Sequence, residues 1–202
     1  MNYKIGIFGS AIKEAPQAME KAAELGKELA KQSELMVITG ACTGVPYAVA
    51  YSARKNGMKE VWGYSSCIDL ETLKKSFPED DISVYTKLFY SPANFYELLL
   101  QNPGTRWKNE QHVRHKYRNV ILTANCDAGI IVSGRWGTLN EFTNLFDMGK
   151  IIGVLTGTGG TADELPALMQ KISKTSNAVV IFESDPNRLV AKVLVELKRR
   201  KK

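Results

Sequence analysis

The segment from Asp127 to Glu141 contains the residues whose types and spacing best suit phosphate chemistry. It reads D-A-G-I-I-V-S-G-R-W-G-T-L-N-E, so an apolar run is followed by a glycine-bearing turn and then by an amphipathic segment. The first N–H groups of a helix lack intrahelical partners, and the helix dipole adds partial positive charge at that end. A strand, a turn and a helix start in this order predict a binding site for an anionic group.

The predicted anion site also places a carboxyl group beside its ligand. Glu141 lies one turn into the helix, on the side that faces the turn, and Thr138 can cap the helix or donate its hydroxyl group to a phosphate. The same two residues are spaced as a capping box, which would only begin the helix, so both interpretations stay open. The turn has no lysine at the Walker position and no G-x-G-x-x-G pattern. The turn residues predicted to bind the anion are Ser133, Gly134, Arg135, Trp136, Gly137 and Thr138.

The elements that must position these groups alternate between strands and helices. Short apolar runs rich in β-branched residues are typical of strands buried in a parallel sheet. They cover residues 4–8, 35–39, 60–64, 128–132, 151–155 and 178–182, and a further strand is predicted at 83–89. Helical spacing covers 16–32, 45–55, 107–125, 139–148 and 163–174, and Asp185-Pro186 begins a C-terminal helix. This alternation predicts one doubly wound, Rossmann-like α/β domain over residues 1–202, with about six to seven parallel strands and helices on both faces.

Two further turns of small residues follow the first and second predicted strands. Ligands of doubly wound sheets sit beyond the carboxyl ends of the strands, near the point where strand order reverses. All three turns lie at that edge, so together they predict a phosphate-bearing ligand. The residues of the two added turns are Gly9 and Ser10 in the first, and Gly40, Ala41, Cys42, Thr43 and Gly44 in the second.

Composition and charge set the expected surroundings of the protein. Its 44% hydrophobic and 24% charged residues are those of an ordinary globular protein. No run is long enough to span a bilayer, no signal peptide precedes the first strand, and three cysteines without metal-type spacing suit the reducing cytoplasm. The net charge of +6 comes partly from the basic run 198–202, which could touch nucleic acid but is more typical of a solvated helix end. We expect neither a membrane nor a nucleic-acid partner.

Three other features bear on the site. Aromatic residues cluster at 85–107, where they could stack on a base or form a lid, although core or subunit packing is favoured. The glycine-rich segment 156–161, which contains Gly157 and Gly160, could cradle a phosphate or form a rim, and it is left out of the predicted site. His115 and Arg118 share one helical face, and the two histidines lack further ligands at metal spacing, so no metal is predicted.

The motifs from residue 4 to about 155 resemble those of the "lonely guy"-like phosphoribohydrolases, often misnamed lysine decarboxylases. The resemblance extends to their Rossmann-like nucleotide-binding relatives, including the molybdenum-cofactor carrier proteins. The family shows P-G-G-x-G-T-x-x-E where this chain has Ser133 to Glu141, and its catalytic arginine lies 23 positions earlier, at Arg118. The pair Arg118-Asn119 matches an R-N pair in the relatives, and the turns after the first two strands match the family's first two turns.

The resemblance implies hydrolysis of an AMP-like nucleoside 5′-monophosphate to base and ribose 5-phosphate, without a cofactor and by a homodimer. Glu141 would stabilise positive charge on the ribose or activate water, and Arg118 would orient the phosphate or ribose and keep Glu141 ionised. Two positions depart from the family pattern, Ser133 in place of proline and Arg135 in place of glycine. Arg135 would either crowd the site or pair with a phosphate. These departures leave open a non-catalytic carrier or sensor of a nucleotide or of the molybdenum cofactor.

Overall fold

The computed structural model describes residues 2–93 and 110–201. These residues form one sheet of seven parallel strands, in the order β4-β3-β2-β1-β5-β6-β7. The predicted doubly wound, parallel α/β fold is therefore confirmed. The strands are β1 (Tyr3–Gly9), β2 (Leu35–Thr39), β3 (Val61–Ser65), β4 (Lys87–Tyr90), β5 (Ala128–Val132), β6 (Ile151–Leu155) and β7 (Val179–Glu183).

The order of the strands reverses between β1 and β5. The chain winds outward from β1 through β2 and β3 to β4, and then returns to place β5 on the other side of β1. Ile7 of β1 pairs with Thr39 of β2 and with Ile130 of β5, so the carboxyl ends of all three strands lie side by side. The three turns that follow these strands are thus brought to one edge of the sheet, at its topological switch point.

Helices cover both faces of the sheet and divide the core into two apolar clusters. Strands β2, β5 and β6 are buried along their whole length, which explains their uninterrupted apolar sequences. Alternate residues of a strand point to opposite faces, so Ile7 and Phe8 belong to different clusters. The helices of the described residues are α1 (Pro16–Ala30), α2 (Val45–Lys55), α3 (Leu70–Ser76), α4 (Glu110–Asn125), α5 (Trp136–Asp147), α6 (Gly160–Lys171) and α7 (Pro186–Arg200). None of them has the length and apolar character needed to cross a membrane.

The observed elements differ from the predicted ones in two places. The strand expected at 83–89 is a short 3₁₀ helix, Ile82–Val84, followed by β4. Helix α5 begins at Trp136, with Arg135 as its N-cap residue, rather than near Thr138. Thr138 therefore lies inside the helix, and its interpretation as the residue that caps it is wrong. The predicted start of α4 at 107 and most of the aromatic cluster at 85–107 lie outside the described residues.

Candidate functional site

A cleft of about 660 Å³ opens at the switch point, above the carboxyl ends of β1, β2 and β5. This volume is within the usual range for small-molecule sites, about 300–1,000 Å³. Ten of the predicted site residues line it, and they come from all three turns and from α4 and α5. Those ten are Gly9, Ser10, Gly40, Cys42, Arg118, Arg135, Trp136, Gly137, Thr138 and Glu141.

The first turn of α5 forms one wall of the cleft. Arg135, at the N-cap position, makes no capping hydrogen bond with its side chain, and it lies exposed beside Trp136 and Gly137. A Cβ atom added at Gly137 would have no neighbour within 4 Å, so the space beside this glycine is open. The first amides of α5, which lack intrahelical partners, thus border an open cleft, as an anion site requires.

The part of the turn that precedes Arg135 lies behind the cleft. Ser133 and Gly134 are buried and do not line it. The backbone N–H of Ser133 donates to Oγ1 of Thr158 at 2.8 Å, and its carbonyl oxygen accepts from the N–H of Ala162 at 3.1 Å. The carbonyl oxygen of Gly134 accepts from the N–H of Thr161 at 2.8 Å. The bonded backbone groups of Ser133 and Gly134 hold the turn in place, and contact of these two residues with the phosphate stays a prediction.

The glycine-rich loop at Gly157–Gly160 supplies this support. Thr158 also donates its hydroxyl group to the carbonyl oxygen of Leu155 at 2.7 Å, and it is 6% exposed. The carboxylate of Asp163 accepts from the N–H groups of Gly157 and Gly159, at 2.6 and 2.8 Å. These amides are already bonded within the loop, and the loop does not line the cleft. The loop and the start of α6 stabilise the Ser133–Gly134 turn by hydrogen bonds on the side away from the cleft.

The turn after β2 contributes only two of its five predicted residues to the cleft. Gly40 and Cys42 line it, whereas Ala41, Thr43 and Gly44 do not. Ala41 is buried with a left-handed φ of 46°, stabilised where its N–H donates to the hydroxyl group of Thr39 at 3.2 Å. Gly44 has φ of 81° and packs against the backbone of Ser10, where any Cβ atom would lie 2.4 Å from the carbonyl oxygen. Ala41 and Gly44 shape the turn, and binding of the ligand by Ala41, Thr43 and Gly44 stays a prediction.

Arg118 reaches from α4 to the turn after β2. A Cβ atom added at Gly40 would lie 1.4 Å from Nη1 of Arg118, so the guanidinium occupies the space that the glycine leaves free. The thiol of Cys42 lies beside the same guanidinium; burial raises the pKa of this thiol, and Arg118 partly opposes the shift. Nε of Arg118 is buried and has no hydrogen-bond partner among the described residues. The cleft thus holds a cation with a hydrogen-bond donor unused.

Glu141 lies in the same cleft and is 6% exposed. Burial raises its pKa to about 7, and the positive charges of Arg118 and Lys116 oppose that rise. No ion pair joins Glu141 to Arg118, both of which lie in the described part of the chain. The charge of Arg118 favours the ionised form of Glu141, but burial has the larger effect and leaves the pKa of this carboxyl group above its ordinary value.

Helix α4 lines the cleft with residues that the sequence analysis did not assign to the site. Burial lowers the pKa of His115 to about 4, with further lowering from the charges of Arg118, His112 and Lys116, so this imidazole is neutral at neutral pH. Asn119 donates from Nδ2 to Oδ1 of Asn140 at 3.1 Å. Gln111 and His115 share the helical face of Arg118, and this spacing is the signal that could have identified these two residues. The added residues on α4 are Gln111, His112, His115, Lys116 and Asn119.

Besides Nε of Arg118, two buried polar atoms of the cleft residues have no partner in the described structure. They are Oγ of Ser10 and Oδ1 of Asn119, and both residues are 3% exposed. Buried polar groups are normally hydrogen-bonded, so unsatisfied ones in a cleft indicate positions that a ligand or water completes. Among residues 2–93 and 110–201, no group of three histidine, cysteine or carboxylate side chains could hold a metal ion. The three cysteines are all free and buried.

Comparisons with known proteins support the resemblance found in the motifs. The model of the SLOG cluster4 family matches residues 2–88 and 112–190. No curated protein matches the chain. Among solved structures, the protein TM1055 is 17% identical, with a TM-score of 0.71 over 96% of this chain and 99% of that one.

Two other solved structures are similar over nearly the whole chain. The molybdenum-cofactor-binding protein of Rippkaea orientalis is 16% identical, with a TM-score of 0.65 over 98% of each chain. The DNA processing protein A of Helicobacter pylori, which binds single-stranded DNA, is 18% identical, with a TM-score of 0.60 over 98% of this chain and 82% of that one. At these identities the similarity establishes a shared Rossmann-like fold.

Proposed function

The chain belongs to the SLOG cluster4 family, and from that premise we propose that its cleft binds a nucleoside 5′-monophosphate and hydrolyses the N-glycosidic bond. The products are the free base and ribose 5-phosphate. The observation that carries this proposal is Glu141, a buried carboxyl group with a pKa of about 7 in a cleft that also contains Arg118. General acids and bases work best when their pKa is close to the working pH, and strongly shifted groups in clefts are typical of catalytic residues.

The phosphate is held at the first turn of α5. Its free amides and helix dipole attract an anion, and the exposed guanidinium of Arg135 lies at the same helix end. The unpartnered hydroxyl group of Ser10 provides one more donor from the turn after β1. Arg135 therefore takes the place of the family's glycine as a direct phosphate ligand rather than as an obstruction.

Glu141 and Arg118 act on the ribose. Ionised Glu141 removes a proton from water, whose oxygen bonds to C1′ as the bond from C1′ to the base nitrogen breaks. The electron pair of that bond leaves with the base, which is protonated at nitrogen. The carboxylate also stabilises the positive charge that develops on the ribose ring. Arg118, fixed against Gly40, orients the ligand and favours the ionised form of Glu141 against the effect of burial.

Incubation with AMP, GMP, CMP and UMP, followed by chromatography of the products, tests the proposal. Free base should appear with the unmodified protein and identify the preferred nucleotide. Glu141→Gln should abolish release of base while AMP still raises the melting temperature, since ligand binding stabilises the folded state. Arg118→Ala should lose both release and most of the binding. Release of base at an unchanged rate by Glu141→Gln would contradict the role given to this carboxyl group.

A second candidate function is a non-catalytic carrier or sensor. It is favoured by the two departures from the family pattern, Ser133 and Arg135, which remodel the phosphate turn. The similarity to a molybdenum-cofactor-binding protein and to a protein that binds single-stranded DNA fits this alternative as well. Thermal stabilisation by a nucleotide or by a short single-stranded oligonucleotide, without release of base, would establish it in place of the hydrolase.

The setting of this function is part of the proposal. We place the protein in the cytoplasm, because three free thiols suit a reducing compartment. We also propose that the whole chain acts as one domain and assembles as a homodimer, as its resemblance to the phosphoribohydrolases implies. Sedimentation equilibrium tests the dimer, and a monomer at micromolar concentration would contradict it.

A further inference from the structure

Trp136 is the most exposed large hydrophobic side chain in the described part of the chain, at 83%. Single exposed hydrophobic residues are common, so exposure alone indicates nothing. This tryptophan, however, is the first residue of α5 and lines the cleft. No aromatic ring and no cation of the described residues packs against its indole.

The position of Trp136 on the helix fixes the direction of its side chain. Every Cα–Cβ bond of an α-helix tilts toward the N-terminus, so the side chain of the first residue projects toward and past the helix end. The N-terminal end of α5 is where the amides and Arg135 attract an anion. The indole is therefore beside the ligand rather than on the far side of the helix.

We infer that the indole of Trp136 stacks on the heterocyclic base of the bound nucleotide and forms one wall of the base subsite. The inference rests on the proposed function, because it takes the 5′-phosphate to lie at the start of α5. A base and an indole both present flat π-faces, and stacking a base on an aromatic side chain contributes substantially to affinity while tolerating different bases. The subsite thus recognises a planar heterocycle and does not select strongly among purines and pyrimidines.

Stacking makes a prediction that distinguishes the base from the phosphate. Ribose 5-phosphate carries the phosphate and the sugar but no base, so its affinity should not depend on Trp136. Trp136→Ala should lower the affinity for AMP about tenfold or more. The same substitution should change the affinity for ribose 5-phosphate by less than about twofold. Trp136→Phe should retain most of the AMP affinity, because phenylalanine keeps an aromatic face.

Titration calorimetry of both ligands measures these effects in a Glu141→Gln background, which should bind AMP without releasing the base, with Trp136 intact or replaced by alanine or phenylalanine. Tyr51→Ala is the matched control, since Tyr51 is a partly exposed aromatic residue on α2 that does not line the cleft. An equal loss of affinity for AMP and for ribose 5-phosphate in Trp136→Ala would overturn the inference, because it would mean that the substitution distorts the phosphate turn. Unchanged AMP affinity in Trp136→Ala would overturn it too.

These titrations, together with chromatography of AMP incubated with the unmodified protein, separate this inference from the proposed hydrolase. If AMP binds without release of base, and Trp136→Ala selectively lowers the affinity for AMP, the proposed hydrolase function is overturned and the stacking subsite is supported. If neither AMP nor ribose 5-phosphate binds, both proposals are overturned. A change of sedimentation in Trp136→Ala, with AMP affinity intact, would instead assign the exposed indole to a contact between copies of the chain.

Discussion

Two residues of the cleft, Gly40 and Glu141, owe their properties to neighbours that are distant in sequence. Gly40 leaves the volume that the guanidinium of Arg118 occupies, 78 positions later in the chain. Glu141 is buried to the point that its pKa rises to about 7 although Arg118 and Lys116 lower it. The activity proposed for the cleft therefore depends on how β2, α4 and α5 pack together, as well as on the motif at 133–141.

The ionisation of Glu141 should make stability depend on pH in a defined direction. The pKa of Glu141 in the folded protein, about 7, lies above the ordinary value of 4.5, so the folded state binds the proton more tightly. This contribution to stability is full below pH 4.5, is lost as pH rises from 4.5 to about 7, and is constant above. Glu141→Gln removes this pH dependence. As pH rises across the window, the free energy of unfolding of the variant should therefore increase by up to about 3 kcal/mol relative to that of the unmodified protein.

Urea unfolding of both proteins at several pH values measures this difference. Comparison with the variant is needed because His115, whose pKa falls to about 4, acts in the opposite direction. Its contribution is lost as pH falls from 6.5 toward 4, and it is common to both proteins. Arg118, Lys116 and the thiol of Cys42 also face this region. A difference that does not change with pH would contradict the raised pKa.

Gly40→Ala should impair the cleft without unfolding the protein. The added methyl group collides with the end of a flexible arginine side chain, which can move away, so the unfolding free energy should change by less than about 1 kcal/mol. The guanidinium is then displaced, and AMP affinity should fall about as far as in Arg118→Ala. In an Arg118→Ala background the substitution should have little further effect on affinity, since the colliding group is gone. An additive loss in the double variant would show that Gly40 acts independently of Arg118.

At the scale of elements, the loop after β6 holds the turn after β5. Thr158 accepts from the N–H of Ser133 and donates to the carbonyl oxygen of Leu155, and the start of α6 bonds to Ser133 and Gly134. Ser133 is held with a left-handed φ of 50°, which non-glycine residues seldom adopt and which proline cannot. The family's proline is therefore incompatible with this turn as it is built here, so the departure at 133 is a structural change as well as a sequence change.

Thr158→Val tests this support. Valine has nearly the same shape but leaves the N–H of Ser133 and the carbonyl oxygen of Leu155 without their buried partner, at a cost of about 1–3 kcal/mol. AMP affinity should fall as well, because the turn is no longer fixed. Thr143→Val is the matched control: its hydroxyl group donates to Asn140 at an exposed position, and stability should change by less than about 0.5 kcal/mol. Equal effects of the two substitutions would contradict the role of the loop.

The strands and helices were largely predictable from the sequence. Which turn residues line the cleft and which bond to other parts of the protein was not. Buried strands such as β2, β5 and β6 have continuous apolar runs, and their bounds match the predicted ones. The start of α5 was misplaced because Thr138 and Glu141 have capping-box spacing, while the helix begins at Trp136 without a side-chain cap. Which backbone groups of Ser133 and Gly134 face the cleft depends on bonds to residues 25 or more positions away, which no local pattern encodes.

At the scale of the whole molecule, the basic C-terminal run is bound to the rest of the protein. Lys198 pairs with Glu34, and Lys201 lies over the ring of Tyr3, so residues of α7 and its end contact the first two strands and their connections. Arg200 donates from Nη1 to the carbonyl oxygen of Gly149 at 2.5 Å and from Nη2 to that of Asn177 at 2.6 Å. Its guanidinium therefore joins the end of the chain to the segments before β6 and β7. These contacts favour the interpretation of the run as a structural helix end.

Arg200→Ala should consequently lower stability and leave polynucleotide binding unchanged. Losing two charge-assisted hydrogen bonds at an exposed position should cost about 1 kcal/mol, or a fall of roughly 2–4 °C in melting temperature for a chain of this size. Arg199→Ala is the control, because the ion pair of Arg199 within residues 2–93 and 110–201 is an exposed one with Glu196, one turn earlier, and such pairs contribute less than about 0.5 kcal/mol.

If an oligonucleotide binds, its affinity should fall in Arg135→Ala, which alters the cleft, and stay the same in the two tail variants. The opposite pattern would assign nucleic-acid binding to the C-terminal run and separate it from the nucleotide cleft.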